Sequence, residues 1–136
     1  MARPSPEMIA KIPLFSDLEP KELRRIADSF KEREFAAGET ISTEGKSGAG
    51  FFVIGSGTAK VSVRGEERGS LGPGEYFGEI ALIDEGVRTA TFVAETDMTT
   101  YGMTFWEFRP IVESDSRIAW KLLQAMTRKL RAVEAR

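Results

Sequence analysis

Cysteine and histidine are both missing from this chain of 136 residues. Without cysteine there is no disulfide and no thiolate chemistry. Without histidine the usual zinc sites are excluded, and so are Ser–His and Cys–His nucleophile pairs. A metal ion or a general base would have to rely on carboxylates, lysine or tyrosine. The expectation is a protein that is not an enzyme, with no catalytic residue, no metal site and no cofactor. Long apolar runs are missing too, since none approaches the ~20 residues of a membrane-spanning helix. The opening Met1-Ala2-Arg3-Pro4-Ser5-Pro6 lacks the apolar core of a signal peptide, which points to the cytoplasm. An excess of one charge is also absent. The net charge is −2, and nothing marks a general binder of nucleic acid or membrane surfaces.

What is present suits one soluble domain spanning 1–136. Its 41% hydrophobic and 29% charged residues are ordinary for a globular protein. Residues 1–8 read as a frayed polar tail. Residues 9–33 read as helical: Pro20 stands at a first helical position with acids around it, and Leu23, Ile26, Ala27 and Phe30 follow at helical spacing. From 34 to 103 the pattern changes to short apolar or alternating runs: Phe35, Ile41, Phe51–Ile54, Ala59-Val61-Val63, Leu71, Tyr76-Phe77 and Phe92-Val93. Turn signals separate them at Gly38-Glu39, Gly55-Ser56-Gly57, Arg64-Gly65-Glu66-Glu67 and Gly72-Pro73-Gly74. Short strands so punctuated argue for a sandwich or a small barrel. Residues 104–136 return to helix. Thr104 and Glu107 fit a capping box, Pro110 should kink or end that helix, and Ser114-Asp115-Ser116 offers a new cap. Ala119, Leu122, Leu123, Met126, Leu130 and Val133 then form one apolar stripe on a helix of about five turns. The order helix, strands, helices is that of an α+β fold, mainly β.

The densest chemistry lies in Tyr76-Phe77-Gly78-Glu79-Ile80-Ala81-Leu82 and Arg88-Thr89-Ala90-Thr91. Gly78 lets the backbone turn and approach a ligand closely. The N–H groups of the turn that follows favour an anion. Arg88 supplies a cation with a planar donor fork suited to phosphate. Glu79 would repel a phosphate, but it can accept hydrogen bonds from a pair of sugar hydroxyls, as an acid does for a ribose. Together these groups describe a pocket for a sugar phosphate. The plainer alternatives are a surface ion pair of Arg88 with Asp84 or Glu85, a solvated Glu79, and a Thr89 hydroxyl that bonds only the local backbone.

The stretch Phe77-Gly78-Glu79-Ile80-Ala81-Leu82 with Arg88-Thr89-Ala90 resembles the phosphate-binding cassette of cyclic-nucleotide-binding domains. The preceding Gly48-Ala49-Gly50-Phe51-Phe52-Val53-Ile54 and Gly55-Ser56-Gly57-Thr58-Ala59 are similar to that family's upstream strand-and-turn signature. The resemblance implies an eight-stranded jelly-roll barrel with an N-terminal helix, a short cassette helix and C-terminal helices. It implies a sensor that switches on binding a cyclic nucleotide, cyclic AMP first and cyclic GMP second. The site it implies comprises Phe77, Gly78, Glu79, Ile80, Ala81, Arg88, Thr89 and Ala90, with Val61, Val63 and Leu71 as the apolar wall for base and ribose. Arg88 would hold the cyclic phosphate and Glu79 the ribose 2′-hydroxyl. Gly48 and Gly50 read as turn glycines with no ligand role. Thr89 leaves cyclic GMP open, because family members with a hydroxyl there respond to either nucleotide.

The C-terminal stripe has three readings. It packs on its own barrel, pairs with a second copy in a homodimer, or caps the base through Leu130 and Val133. Val133 stands where the catabolite activator protein of this family has a threonine that reads the adenine amino group, a bond valine cannot make. No recognition helix is present, so direct nucleic-acid binding by this chain is not expected, and the chain reads as a stand-alone sensor or an excised domain. Two rivals remain. One is a barrel of the same fold that holds no nucleotide and serves as a dimerisation or interaction module. The other is a cupin-like enzyme, which Gly72-Pro73-Gly74 faintly suggests but whose usual metal site needs histidines.

Overall fold

A strand with apolar residues at every position must be covered on both faces. Phe51-Phe52-Val53-Ile54 is such a run. In the computed structural model of the chain, which describes residues 3–46, 50–79, 81–84 and 86–135, all four are buried in strand β3 (Phe51–Ser56). Their side chains alternate between two cores. Phe51 and Val53 join a core shared with the helices, whereas Phe52 and Ile54 join a core between two sheets.

The elements run α1 (Pro6–Ala10), a 3-10 turn (Pro13–Phe15), α2 (Pro20–Asp28), β1 (Lys31–Phe35), β2 (Thr40–Ser42), β3, β4 (Ala59–Val63), β5 (Glu66–Leu71) and β6 (Tyr76–Phe77). Then come α3 (Ala81–Asp84), β7 (Thr91–Ala94), β8 (Met98–Met103), α4 (Phe105–Ser114) and α5 (Ser116–Glu134). One four-stranded sheet has the order β1-β8-β3-β6 and the other β2-β7-β4-β5. Every pairing is antiparallel. This is the expected eight-stranded jelly roll flanked by helices, an α+β fold that is mainly β.

The inter-sheet core contains Ile41, Phe52, Ile54, Ala59, Phe77, Ala94 and Met98. The helix-side core is larger and centres on Phe51, whose ring lies 6.0 Å from Phe15 and 5.7 Å from Phe30 in tilted or edge-on contact. Burying each such side chain stabilises the fold by about 1.5–3 kcal/mol. This packing fixes the outer face of the β3 sheet, on whose margin the site described below is built.

Several sequence expectations hold at atomic detail. The Glu19 N–H donates to Glu22 Oε1 at 2.9 Å at the start of α2. In α4 the Thr104 N–H donates to Glu107 Oε1 at 2.9 Å and the Glu107 N–H to Thr104 Oγ1 at 3.2 Å. Asp115 caps α5 by accepting from the Arg117 N–H at 3.0 Å.

Others need correction. Pro110 does not end α4, which runs on to Ser114. In the second turn a proline removes only the bond to the carbonyl four residues back, that of Trp106, and the capping box already secures the first turn. The helical part begins at Pro6, inside the expected tail, because Ser5 Oγ accepts from the Met8 N–H at 3.1 Å and Ile9 is fully buried. The barrel begins at Lys31 rather than 34. On α5 the buried residues are Ile118, Leu122 and Ala125, so the stripe facing the core is rotated from the expected one. Trp120, Leu123, Leu130 and Val133 are 63%, 58%, 57% and 53% exposed. Among the described residues no helix is long and apolar enough to cross a membrane.

Candidate functional site

Strand β6 is only two residues long, and the chain leaves the sheet directly after it. Gly78 makes this exit with φ +86°, a left-handed conformation that favours glycine. A Cβ at Gly78 would run into the Arg88 guanidinium and would lie 2.5 Å from the Gly50 carbonyl oxygen. The chain then forms α3 and returns through Arg88 to β7. Between this excursion and the β7-β4-β5 face lies an open cavity of about 760 Å³, a size typical of small-molecule sites.

The structure brings most of the expected residues to this cavity: Val61, Leu71, Phe77, Gly78, Glu79, Arg88, Thr89 and Ala90 all line it. Ile80 lies outside the described residues, and of Ala81 only its place in α3 is described. Val63 is absent from the cavity lining. It pairs with Glu66 at the very end of the β4–β5 hairpin, past the region the cavity covers. Leu130 and Val133 are also off the lining, because α5 turns them to solvent.

Arg88 is 7% exposed, which excludes a surface arginine. The side chains of Asp84 and Glu85, its alternative partners, lie outside the description. Its backbone is clamped from the β2–β3 connection: the Arg88 N–H donates to the Lys46 carbonyl at 2.9 Å, and the Gly45 N–H to the Arg88 carbonyl at 2.8 Å. Its Nη2 donates to the Gly50 carbonyl, while its Nε–H finds no partner among the described residues. Burial pulls the guanidinium below its usual pKa and the nearby Glu79 carboxylate raises it again. The group remains a cation throughout the physiological range. A buried, incompletely satisfied cation at a cavity wall has the chemistry to hold an anion.

Glu79 is reached from another direction. Lys129 on α5 donates to its Oε1 at 3.4 Å, and the Glu79 side chain is 18% exposed. Burial raises the pKa of the neighbouring Tyr76 phenol, and the Glu79 charge adds to that shift. Glu79 thus keeps acceptor capacity for hydroxyl donors while touching the C-terminal helix. The apolar floor is a ring stack: Phe77 and Phe92 lie 4.0 Å apart at 14°, with Phe52 at 5.4 Å behind Phe77. Among the described residues no group of three or more acids is placed to hold a metal ion.

Among the lining and supporting residues that were not anticipated, three bear on the site's chemistry. Gly50, read as a turn glycine, anchors Arg88 through its carbonyl. Its own φ of +105° and the Met103 carbonyl, 2.8 Å from where a Cβ would stand, exclude a side chain there. Phe92 supplies half of the aromatic floor, and its apolar character was visible without its partner. Arg68 lines the cavity from β5, just after the stretch Arg64-Gly65-Glu66-Glu67 that reads as a turn.

A jelly roll with a short helical excursion, an acid, and a buried arginine facing an open cavity is a small-molecule-binding β-domain. The profile of the cyclic nucleotide-binding domain family matches residues 32–115, more than half of the chain, and the chain belongs to that family. It is 40% identical over 92 residues to the cAMP-dependent protein kinase regulatory subunit of Aspergillus niger, covering 66% of this chain and 22% of that protein. It is 31% identical over 127 residues to the cyclic AMP receptor protein of Thermus thermophilus, covering 90% of this chain and 59% of that protein. The chain thus spans about a fifth and about three-fifths of these two relatives. Among solved structures, the N-terminal domain of a transcriptional regulator from Streptomyces coelicolor superposes with a TM-score of 0.86 at 28% identity, covering 94% of this chain and 93% of that one.

Proposed function

We propose that this domain binds a cyclic purine nucleotide, cyclic AMP in the first place and cyclic GMP in the second, and acts as a non-enzymatic regulatory switch. The observation that carries the reading is Arg88, a cation 7% exposed at the wall of a cavity, with its Nε–H unpaired among the described residues and Glu79 beside it. Arg88 binds the cyclic phosphate, and Gly78, Thr89 and Ala90 leave room for it against the backbone. Glu79 accepts from the ribose 2′-hydroxyl. Phe77, Phe92, Val61 and Leu71 cover the sugar and base with apolar surface. The names of the relatives, a cAMP-dependent kinase regulatory subunit and a cyclic AMP receptor protein, support the choice of cyclic AMP.

Switching follows from contacts that a ligand would compete for. Arg88 holds Gly50 at the start of β3, and Lys129 holds Glu79 from α5. A phosphate draws on the first pair and a ribose on the second, so the nucleotide favours a different arrangement of cassette and C-terminal helix. Leu130 and Val133 reach the base only in such a rearranged state, or from a second copy.

The exposed face of α5 supports a homodimer. Leu123, Leu130 and Val133, all exposed, lie at steps of seven and three along it, which suits the seam of a helix pair. Leu130→Glu should turn a dimer into a monomer in sedimentation equilibrium. A wild-type chain that is monomeric at all concentrations would remove this part of the reading.

Equilibrium dialysis against labelled cyclic AMP and cyclic GMP tests the ligand. Saturable micromolar binding supports the proposal. Absence of both would favour a barrel that has lost its nucleotide and serves as an interaction module.

A further inference from the structure

The turn at residues 43–46, between β2 and β3, brackets Arg88 on both of its backbone groups. Arg88 donates its N–H to the Lys46 carbonyl and accepts the Gly45 N–H on its own carbonyl. The turn is closed by the Lys46 N–H on the Thr43 carbonyl at 3.2 Å and bent at Gly45, whose φ is +82°.

Two contacts pin this turn from outside, and both are made by Glu44. Its backbone N–H donates to Thr91 Oγ1 at 3.0 Å, at the start of β7. Its Oε1 accepts the Arg64 N–H at 2.8 Å, at the tip of the β4–β5 hairpin. Glu44 thus ties the turn to the strand that Arg88 leads into and to a hairpin distant in sequence.

The backbone at that tip is unusual. Val63 pairs with Glu66, so Arg64 and Gly65 form a two-residue loop, with left-handed φ of +53° and +80°. Loops of this kind favour Asn-Gly or Gly-Gly, and a left-handed arginine is unfavourable. Among the described residues Arg64 is the only one other than glycine with a positive φ. As a loop residue it lies outside the β4–β5 ladder, and the Glu44 carboxylate takes its N–H in a charge-assisted bond. A disfavoured conformation held by an acid from another loop points to function.

We infer that Glu44 is a positioning residue for the phosphate contact: by tying the hairpin tip to the turn at 43–46, it fixes the Arg88 backbone and, through it, the guanidinium. The inference rests on the cyclic-nucleotide reading of the cavity. Glu44 is absent from the cavity lining, so it acts through Arg88 and not on the ligand. A binding group has to be held within about 0.5 Å of its productive position, and supporting hydrogen bonds set that tolerance. Val61 and Leu71 of the same hairpin line the cavity. The tie therefore also relates the phosphate contact to the apolar wall opposite it.

The test is calorimetric titration of cyclic AMP into the full chain and into Glu44→Ala, Glu44→Gln, Arg88→Ala and the double variant Glu44→Ala/Arg88→Ala. Glu44→Ala should weaken binding by about tenfold, the effect of losing a charged acceptor. Glu44→Gln should recover most of that loss, because its side-chain carbonyl still accepts the Arg64 N–H. With Arg88 already removed, Glu44→Ala should cost less than about twofold, since two residues acting through one contact are not additive. A merely structural role would carry the same loss into the double variant. A thermal scan verifies that each variant is folded at the titration temperature. Should Glu44→Ala unfold, Thr91→Val removes the other pin at nearly constant shape and should weaken binding by about threefold. Unchanged affinity in Glu44→Ala (or, in its place, in Thr91→Val), no recovery by glutamine, or an undiminished loss in the double variant would overturn the inference while leaving the cyclic-nucleotide reading intact. A wild-type chain that binds no cyclic AMP would overturn both.

Discussion

At the cassette end of the cavity, Arg88 is 7% exposed, clamped through its backbone at Lys46 and Gly45 and through its side chain at Gly50. At the β5 end, Arg68 is 55% exposed and stands on an edge strand with one weak ionic contact. Both ends carry an arginine, but only the first is desolvated and fixed before a ligand arrives. A preorganised buried cation gives binding strength, because the cost of ordering and desolvating it is met by folding. An exposed fork must still be ordered and desolvated when it binds, so it contributes less energy. The two ends differ in how much of the ordering is complete before a ligand arrives.

The sharpest way to break this contrast is Arg88→Ala. It should cost about 2–5 kcal/mol of cyclic-nucleotide affinity, since the phosphate would then be held without its cation. A loss no larger than that of Arg68→Ala, measured by competition against a labelled nucleotide, would erase the distinction between the two ends.

Gly78→Ala comes next. The left-handed backbone alone penalises alanine by about 1–2 kcal/mol, and the new Cβ must displace Arg88 or Gly50. Both melting temperature and affinity should fall, and a variant with wild-type binding would show that the Arg88 position is not fixed by Gly78.

Arg88→Lys should lose less than Arg88→Ala and still weaken binding, because the charge stays and the planar fork goes. Equal affinity for lysine and arginine in the same titration would reduce the cassette to a point charge.

The smallest effect on binding should come from Lys121→Met, far from both ends. Lys121 Nζ donates to Glu22 Oε1 at 2.9 Å, joining α5 to α2. Burial pushes the Glu22 carboxyl up, but the Glu19 N–H and the Lys121 ammonium outweigh it and hold its pKa below the usual 4.5. A carboxylate depressed in the folded state adds stability at neutral pH. That contribution is lost as pH falls from the ordinary carboxylate range through the lowered value. Lys121→Met should therefore lower the melting temperature at pH 7, and the gap from wild type should narrow in acid. Affinity for nucleotide should not change. A gap that widened in acid would reverse the assigned sign.

How far the sequence revealed this arrangement differs between the same two regions. Gly78, Glu79 and Arg88 stood out because each residue type is chemically unusual where it occurs, and the structure brings them to one wall. β3 was legible because four apolar residues in a row have few uses other than a strand buried on both faces. β5 was not. Glu66-Glu67-Arg68-Gly69-Ser70 has no apolar alternation, and its polarity is what protects an edge strand from pairing with other chains. With Glu66-Glu67 read as part of a turn and Arg68-Gly69-Ser70 assigned to no strand, the bulge at Arg68 was invisible. Gly50 was missed for another reason: its contribution is a backbone carbonyl 38 residues from Arg88, which no side-chain pattern reports. Val63, Leu130 and Val133 were placed at the cavity by resemblance alone. The hairpin end and the outward face of α5 put them elsewhere.

Everything proposed for the cavity depends on Arg88 being the phosphate contact of a cyclic-nucleotide site. Calorimetric titration of cyclic AMP into the wild-type chain and into Arg88→Ala, at one pH and salt concentration, tests it most directly. The expected result is a single saturable site in the wild type and at least about thirtyfold weaker binding in the variant, the lower end of the cost given above. Binding of equal strength in the two proteins would contradict it.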